Sequence, residues 1–163
     1  MPSNSRAKVP LEVHERALRL LAVRARSRRE LERRLSAAGF DEDEVAGELG
    51  RLEAVGLIDD EAFAREVVEH ELANRRAGSR AVTSRLLAKG IDQATIQRTL
   101  EAVPAPPESE RALELARSRA RRLTSLPAET AFGRLVPYLI RRGYPGSVAR
   151  EAASKALGVE GAD

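Results

Sequence analysis

The chain has 163 residues, enough for one domain or a few small units, and 42% of them are hydrophobic but only 3% aromatic, a Leu/Ala/Val mix that favours close-packed helices over a sheet. With no cysteine there is no disulfide framework, thiolate metal site or cysteine nucleophile; no apolar run reaches the ~18–20 residues that span a bilayer, and residues 1–10 lack the apolar stretch of a secretory signal, so a cytoplasmic location is expected. The net charge of +3 conceals segregation: residues 1–39 carry +6, residues 40–72 carry −10 and residues 73–163 carry +7, so two basic regions suited to an anionic partner flank an acidic one that opposes continuous contact with DNA.

Helix signals then follow one another along the chain. Leu11 to Ala25 is a first helical stretch. Ser27 reads as an N-cap, with Glu30 three positions on completing a capping box. Leu31, Leu35 and Ala38 follow at helical spacing, and Gly39 stops that helix. Asp41 caps a third helix through Val45, Leu49 and Leu52, which ends at Gly56. Asp59 or Asp60 caps a fourth through Phe63, Val67, Val68 and Leu72. Ser79 opens and caps a fifth with Val82 and Leu86, stopped by Gly90, and Asp92 opens a sixth with Ile96, Leu100 and Val103.

These elements repeat. Counted from Gly39, apolar residues fall at −8, −4, +1, +6, +10 and +13, and the same offsets from Gly90 are all apolar. A third copy centres on Gly143, with Leu135, Leu139 and Tyr144 in register and a last helix that runs one residue early through Val148 and Ala152. The period of 51 to 53 residues exceeds that of the common helical repeats. Pro104, Pro106 and Pro107 form a semi-rigid connector before the seventh helix, whose apolar stripe is Leu113, Ala116, Ala120 and Leu123. Pro137 falls inside the eighth helix, where it should kink the chain or force a later start. The expected organisation is a tail over 1–10, three-helix units over 11–57 and 58–103, the connector over 104–108, a third unit over 109–157 and a tail over 158–163. The fold class is all-α, an elongated, curved solenoid of three tandem three-helix repeats.

No catalytic arrangement stands out. His14 and His70 have no metal-ligand spacing, Asp41-Glu42-Asp43-Glu44 lacks the glycine of a calcium loop, and no phosphate-binding glycine loop exists, so neither an enzyme nor a cofactor is expected. Basic clusters remain. On the second helix Arg29 and Arg33 point away from the core stripe, flanked by Arg28 and Arg34, with Arg24 and Arg26 just before them. Arg75, Arg76, Arg80, Arg85 and Lys89 surround the fifth helix. Opposite the stripe of the seventh helix stand Arg111, Ser118 and Arg122, with Arg121 beside them, and Arg141 and Arg142 end the eighth. Cations that end helices, such as Arg24, Arg26, Arg141 and Arg142, also complement the helix dipole. With no exposed aromatic platform, sequence-specific reading of single strands is not expected.

Gly56-Leu57-Ile58-Asp59-Asp60-Glu61-Ala62-Phe63-Ala64 resembles the hallmark segment of the RecX family, regulatory proteins of the RecA recombinase. Arg76-Ala77-Gly78-Ser79-Arg80 leading to Leu86-Leu87-Ala88-Lys89-Gly90-Ile91, Ser27-Arg28-Arg29-Glu30-Leu31 with Leu35 and Gly39-Phe40, and Leu139-Ile140-Arg141-Arg142-Gly143-Tyr144 are similar to further family segments. The resemblance spans about residues 12 to 157, and Pro137, Pro145 and Gly146 depart from its pattern. It implies a monomeric negative regulator that lies in the groove of the RecA–single-stranded-DNA filament and inhibits ATP hydrolysis, strand exchange and co-protease activity, with weak affinity for DNA itself and none for membranes. The basic residues named above, from Arg24 to Arg142 and without Arg111, would form the partner-binding set. The alternative is a DNA-binding regulator whose Arg-rich second helix enters a groove.

Overall fold

The computed structural model describes residues 8–74 and 76–159. Among them are nine helices and no strand: α1 Lys8–Val23, α2 Arg28–Ala37, α3 Glu42–Ala54, α4 Asp60–Ala73, α5 Ser79–Ala88, α6 Gln93–Ala102, α7 Glu108–Ala120, α8 Ala128–Arg141 and α9 Gly146–Leu157. Helix α1 begins inside the segment read as an N-terminal tail. The helices pack three by three into a solenoid of three-helix repeats. Each trio encloses its own apolar core. Leu31, Leu35, Val45, Leu49 and Leu52 fill the first, Phe63, Val68, Val82, Leu86 and Ile96 the second, and Leu115, Leu135, Leu139 and Tyr144 the third. Each fully buried Leu contributes roughly 1.5–3 kcal/mol over an exposed one, so every repeat carries its own stabilising centre.

The glycine at the middle of each repeat has a conformational cause. Gly39, Gly90 and Gly143 take φ of +90°, +81° and +92°. The next amide then bonds back to a carbonyl four residues before the glycine: Phe40 to Leu35, Ile91 to Leu86 and Tyr144 to Leu139. This turn satisfies the last carbonyls of α2, α5 and α8 and turns a large apolar residue toward the core, where Ile91 and Tyr144 are buried and Phe40 is half-buried.

Several local expectations are corrected. The third repeat keeps full register, because Ala149 and Ala153 occupy the +6 and +10 positions and are fully buried, whereas Val148 is only half-buried. Small alanines let α9 approach α7 and α8 closely, and a count of large apolar residues passes over them. The buried face of α7 is Ala112, Leu115, Ala116 and Ala120, rotated from the expected stripe, so Arg111 is buried rather than outward-facing and donates to the carbonyl of Pro106. Pro137 does not delay α8, which starts at Ala128 and runs through it. The residue four positions before it is a glycine, Gly133. Ser79 is not a cap. Gly78 holds the N-cap position of α5, and both the amide and the hydroxyl of Ser79 donate to Glu108 at 2.8 Å. Asp59, not Asp60, caps α4.

The repeats meet through polar joints. At the first, the Ser27 hydroxyl donates to the carbonyl of Lys89 at 2.5 Å, the Arg28 amide donates to Asp60 at 2.9 Å, and Arg29 lies against Gly90, where a methyl group would collide with its side chain. At the second, the Gly78 amide donates to the carbonyl of Arg142 at 2.8 Å and the Arg80 amide to that of Gly143 at 3.2 Å. The Tyr144 hydroxyl donates to the carbonyl of Arg76 at 2.6 Å. Both joints set the start of one repeat's second helix on the glycine turn of the next. The turn at Gly39 has no such neighbour, since nothing lies within 4 Å of a Cβ placed there.

Candidate partner-binding surface

The cations singled out in the sequence divide into two groups once their contacts are known. The first group is structural. Glu30, buried in α2, accepts from Arg26 at 2.6 Å and from both Nη atoms of Arg24, and it also faces Arg34 at 3.6 Å and Lys89 at 3.4 Å. Burial raises its pKa, but hydrogen bonds from Arg24 and Arg26 and the charge of Lys89 outweigh that and bring it to about 2. The capping box is therefore half made. The Glu30 amide donates to Ser27 Oγ at 3.2 Å, while the carboxylate gathers guanidinium groups. Arg26 is itself buried, with its Nε on the carbonyl of Leu20, so it presents no charge to a partner, contrary to expectation. Arg28 pairs with Glu53 at 2.8 Å, Arg85 with the buried Glu71 at 2.6 Å and Arg76 with Glu114 at 2.7 Å. Arg76 holds φ +47°, a left-handed conformation that costs an L-residue roughly 1–2 kcal/mol. Its carbonyl and side chain both serve the second joint.

Arg29, Arg33, Arg80, Arg121, Arg122 and Arg141 form the second group. All are exposed, and none has a carboxylate partner among the described residues. Arg142 is half-buried beneath the second joint. Arg75 lies outside the described residues. Sequence reading missed Arg119 and Arg134, which carry no ion pair either. Arg119 lies over the ring of Tyr138, its guanidinium carbon 5.2 Å from the centroid. Only the fold, which sets α7 against α8, puts those residues side by side.

Much of the acidic segment is absorbed internally. Glu48 is buried and bonded to His14 Nδ1 at 2.6 Å, while Asp41 and Asp59 cap helices. Glu61 pairs with Arg98 at 3.0 Å. Asp60 is raised above the usual carboxylate range by burial, despite the amide of Arg28. Glu42, Asp43, Glu66 and Glu69 stay exposed. Among the described residues no group of histidine and carboxylate side chains could hold a metal ion, and no helix is long and apolar enough to cross a membrane.

Three small helical repeats joined by polar contacts thus carry unpaired arginines on their surface. Residues 14–52 match the family model for the first three-helix domain of RecX, and residues 59–100 match that for the second. The chain is 38% identical to a regulatory protein RecX of Mycobacterium avium over 160 residues, 98% of this chain and 92% of that protein. It is 40% identical to that of Mycobacterium marinum over 161 residues, with the same coverage. The crystal structure of RecX from Lactobacillus salivarius superposes with a TM-score of 0.80 at 21% identity, covering 92% of this chain and 97% of that one. The chain belongs to the RecX family of regulatory proteins.

Proposed function

We propose that this protein is a negative regulator of RecA that binds in the groove of the RecA–single-stranded-DNA filament and inhibits its ATP hydrolysis, strand exchange and co-protease activity. Family membership over nearly the whole chain carries the reading. The physical features agree with it. Arg29 and Arg33 on the first repeat and Arg121, Arg122 and Arg141 on the third are unpaired, so cations are offered at both ends of a chain of repeats. Exposed carboxylates at Glu42, Asp43, Glu66 and Glu69 lie between them in sequence. That alternation suits a repeating protein polymer with surfaces of both signs. The repeats act as successive docking modules within the limits 11–57, 58–103 and 109–157, and the proline connector limits how far the third swings from the second.

Action through duplex DNA alone is less well supported. Of the α2 arginines, Arg28 and Arg34 face carboxylates, and Glu30 and Glu32 share the helix, which leaves Arg29 and Arg33. Few charges remain to enter a groove. The test is a binding comparison at physiological salt. Affinity for assembled RecA filament should exceed that for naked duplex by a wide margin. Tight duplex binding with a steep salt slope, about −0.9 per phosphate contact, and no preference for filament would favour the alternative.

A further inference from the structure

The three repeats differ at one core position. At +13 from the turn glycine stand Leu52 in the first repeat and Val103 in the second, both buried. In the third repeat the same position is Ala156, only half-buried. An open cleft of about 620 Å³ lies there, between the end of α7, the start of α8 and the end of α9. Leu123, Leu126, Ala131 and Leu157 supply apolar walls, and Arg117 and Arg121 also line it. Both arginines are exposed, no carboxylate lines the cleft, and neither cation has a carboxylate partner among the described residues. The alanine omits the side-chain carbons that Leu52 and Val103 provide, so the third core is open where the other two are closed.

A side chain of the missing kind is presented on the first repeat. The turn between α3 and α4 carries Val55 and Leu57, which are 65% and 52% exposed. Gly56, with φ +75°, and the bond from the Leu57 amide to the Leu52 carbonyl at 2.9 Å fix the shape of this turn. Residues 53–61 contain Glu53, Asp59, Asp60 and Glu61 and no cation. Arg28 and Arg98 offset Glu53 and Glu61, but Asp59 is exposed and has no cation partner among the described residues. We infer that this chain associates with a second copy of itself, the Val55–Leu57 turn of one copy entering the Ala156 cleft of the next, with Arg117 and Arg121 facing the carboxylates around the turn. Knob and hole lie on different repeats, so the contact is head-to-tail and adds copies in series rather than forming a two-fold pair. One turn covers well under the ~1,200–2,000 Å² that a stable interface buries, so the dissociation constant is on the order of 100 µM. Copies aligned side by side on a common support meet at a far higher effective concentration, which makes so weak a contact count. The inference goes beyond filament binding and needs no recombinase to be present.

The experiment follows the weight-average mass of the full chain by sedimentation equilibrium from about 10 to 500 µM, with no RecA or DNA added. The mass should rise from that of one chain to beyond that of two. Leu57→Asp, on the exposed knob, and Ala156→Leu, which gives the third repeat the residue found in the first, should each weaken association by about tenfold or more. Mixed in equal amounts, the two variants should form a one-to-one pair that grows no further, because each keeps the surface that the other has lost. A constant mass over the whole range would overturn the assignment and leave the cleft to the residues after Val159 or to another protein. A mass that levels off at two chains, undiminished association in either variant, or no pairing between variants of wild-type helicity would overturn it too. The concentration series uses the unaltered protein, so it decides even if a variant fails to fold. Because no recombinase is added, failure here leaves the filament reading standing, and success does not establish that reading.

Discussion

Replacing Glu30 with glutamine tests the charged cluster that ties α2 to the first joint. The substitution keeps the shape and removes the charge facing Arg24, Arg26, Arg34 and Lys89. The carboxyl titrates at about 2 in the folded protein against an ordinary value of 4.5. A tenfold change in proton affinity is 1.36 kcal/mol, so the ionised group adds about 3 kcal/mol to folding at neutral pH. The folded-state pKa is depressed. The contribution is therefore complete above pH 4.5 and is lost as the pH falls towards 2. Urea unfolding followed by far-ultraviolet circular dichroism should show Glu30→Gln less stable than wild type by about 3 kcal/mol at pH 7 and by about half that at pH 3. An equal gap at both pH values would mean that the loss comes from packing. A gap below about 1 kcal/mol at pH 7 would mean that solvent already screens the cluster, and the electrostatic reasoning would fail.

Three further outcomes are expected. Gly39→Ala should cost only the strain of its positive φ, roughly 1–2 kcal/mol. Gly143→Ala should cost clearly more and loosen the third repeat from the second, because its methyl collides with the backbone nitrogen of Ala81; equal melting curves for the two variants would contradict the joint. Phe63→Ala, in the core of the second repeat, should lose about 3–5 kcal/mol in chemical denaturation, and a loss under 1 kcal/mol would contradict its burial. Glycine at positions 104, 106 and 107 should leave helicity nearly unchanged while weakening filament binding through a lower effective concentration of the third repeat; unchanged affinity would show that the connector does not restrain it.

The sequence was most legible where structure is local. Ser27, Asp41, Asp59 and Asp92 cap helices, and the three turn glycines stop them, because side chain, amide and φ lie within a few residues of one another. The repeat offsets located the cores for the same reason. Long-range contacts were not legible. Ser79 looked like a cap because its partner Glu108 lies 29 residues away, and Arg26 and Arg111 looked like surface cations although Glu30 and the carbonyl of Pro106 draw them inward. Arginine has a long apolar stem, so burial of its guanidinium depends on acceptors that periodicity does not reveal. The contact of Arg119 with Tyr138 escaped notice for a similar reason, since the two belong to different helices.

The most direct test of the central claim is a titration of this protein into RecA during single-stranded-DNA-dependent ATP hydrolysis, alongside a variant with glutamate at Arg29, Arg33, Arg121 and Arg122. These four side chains are exposed and none has a carboxylate partner among the described residues; glutamate at Arg33, Arg121 and Arg122 should alter stability by no more than about 0.5 kcal/mol each, and glutamate at Arg29 keeps the Cβ and Cγ that pack on Gly90, so a thermal melt of the variant is run beside the assay. Wild type should suppress hydrolysis in proportion to the filament it occupies, and the variant should suppress it weakly, through inverted complementarity and faster release. Undiminished hydrolysis at saturating wild-type protein would contradict the claim that the chain acts on the RecA filament.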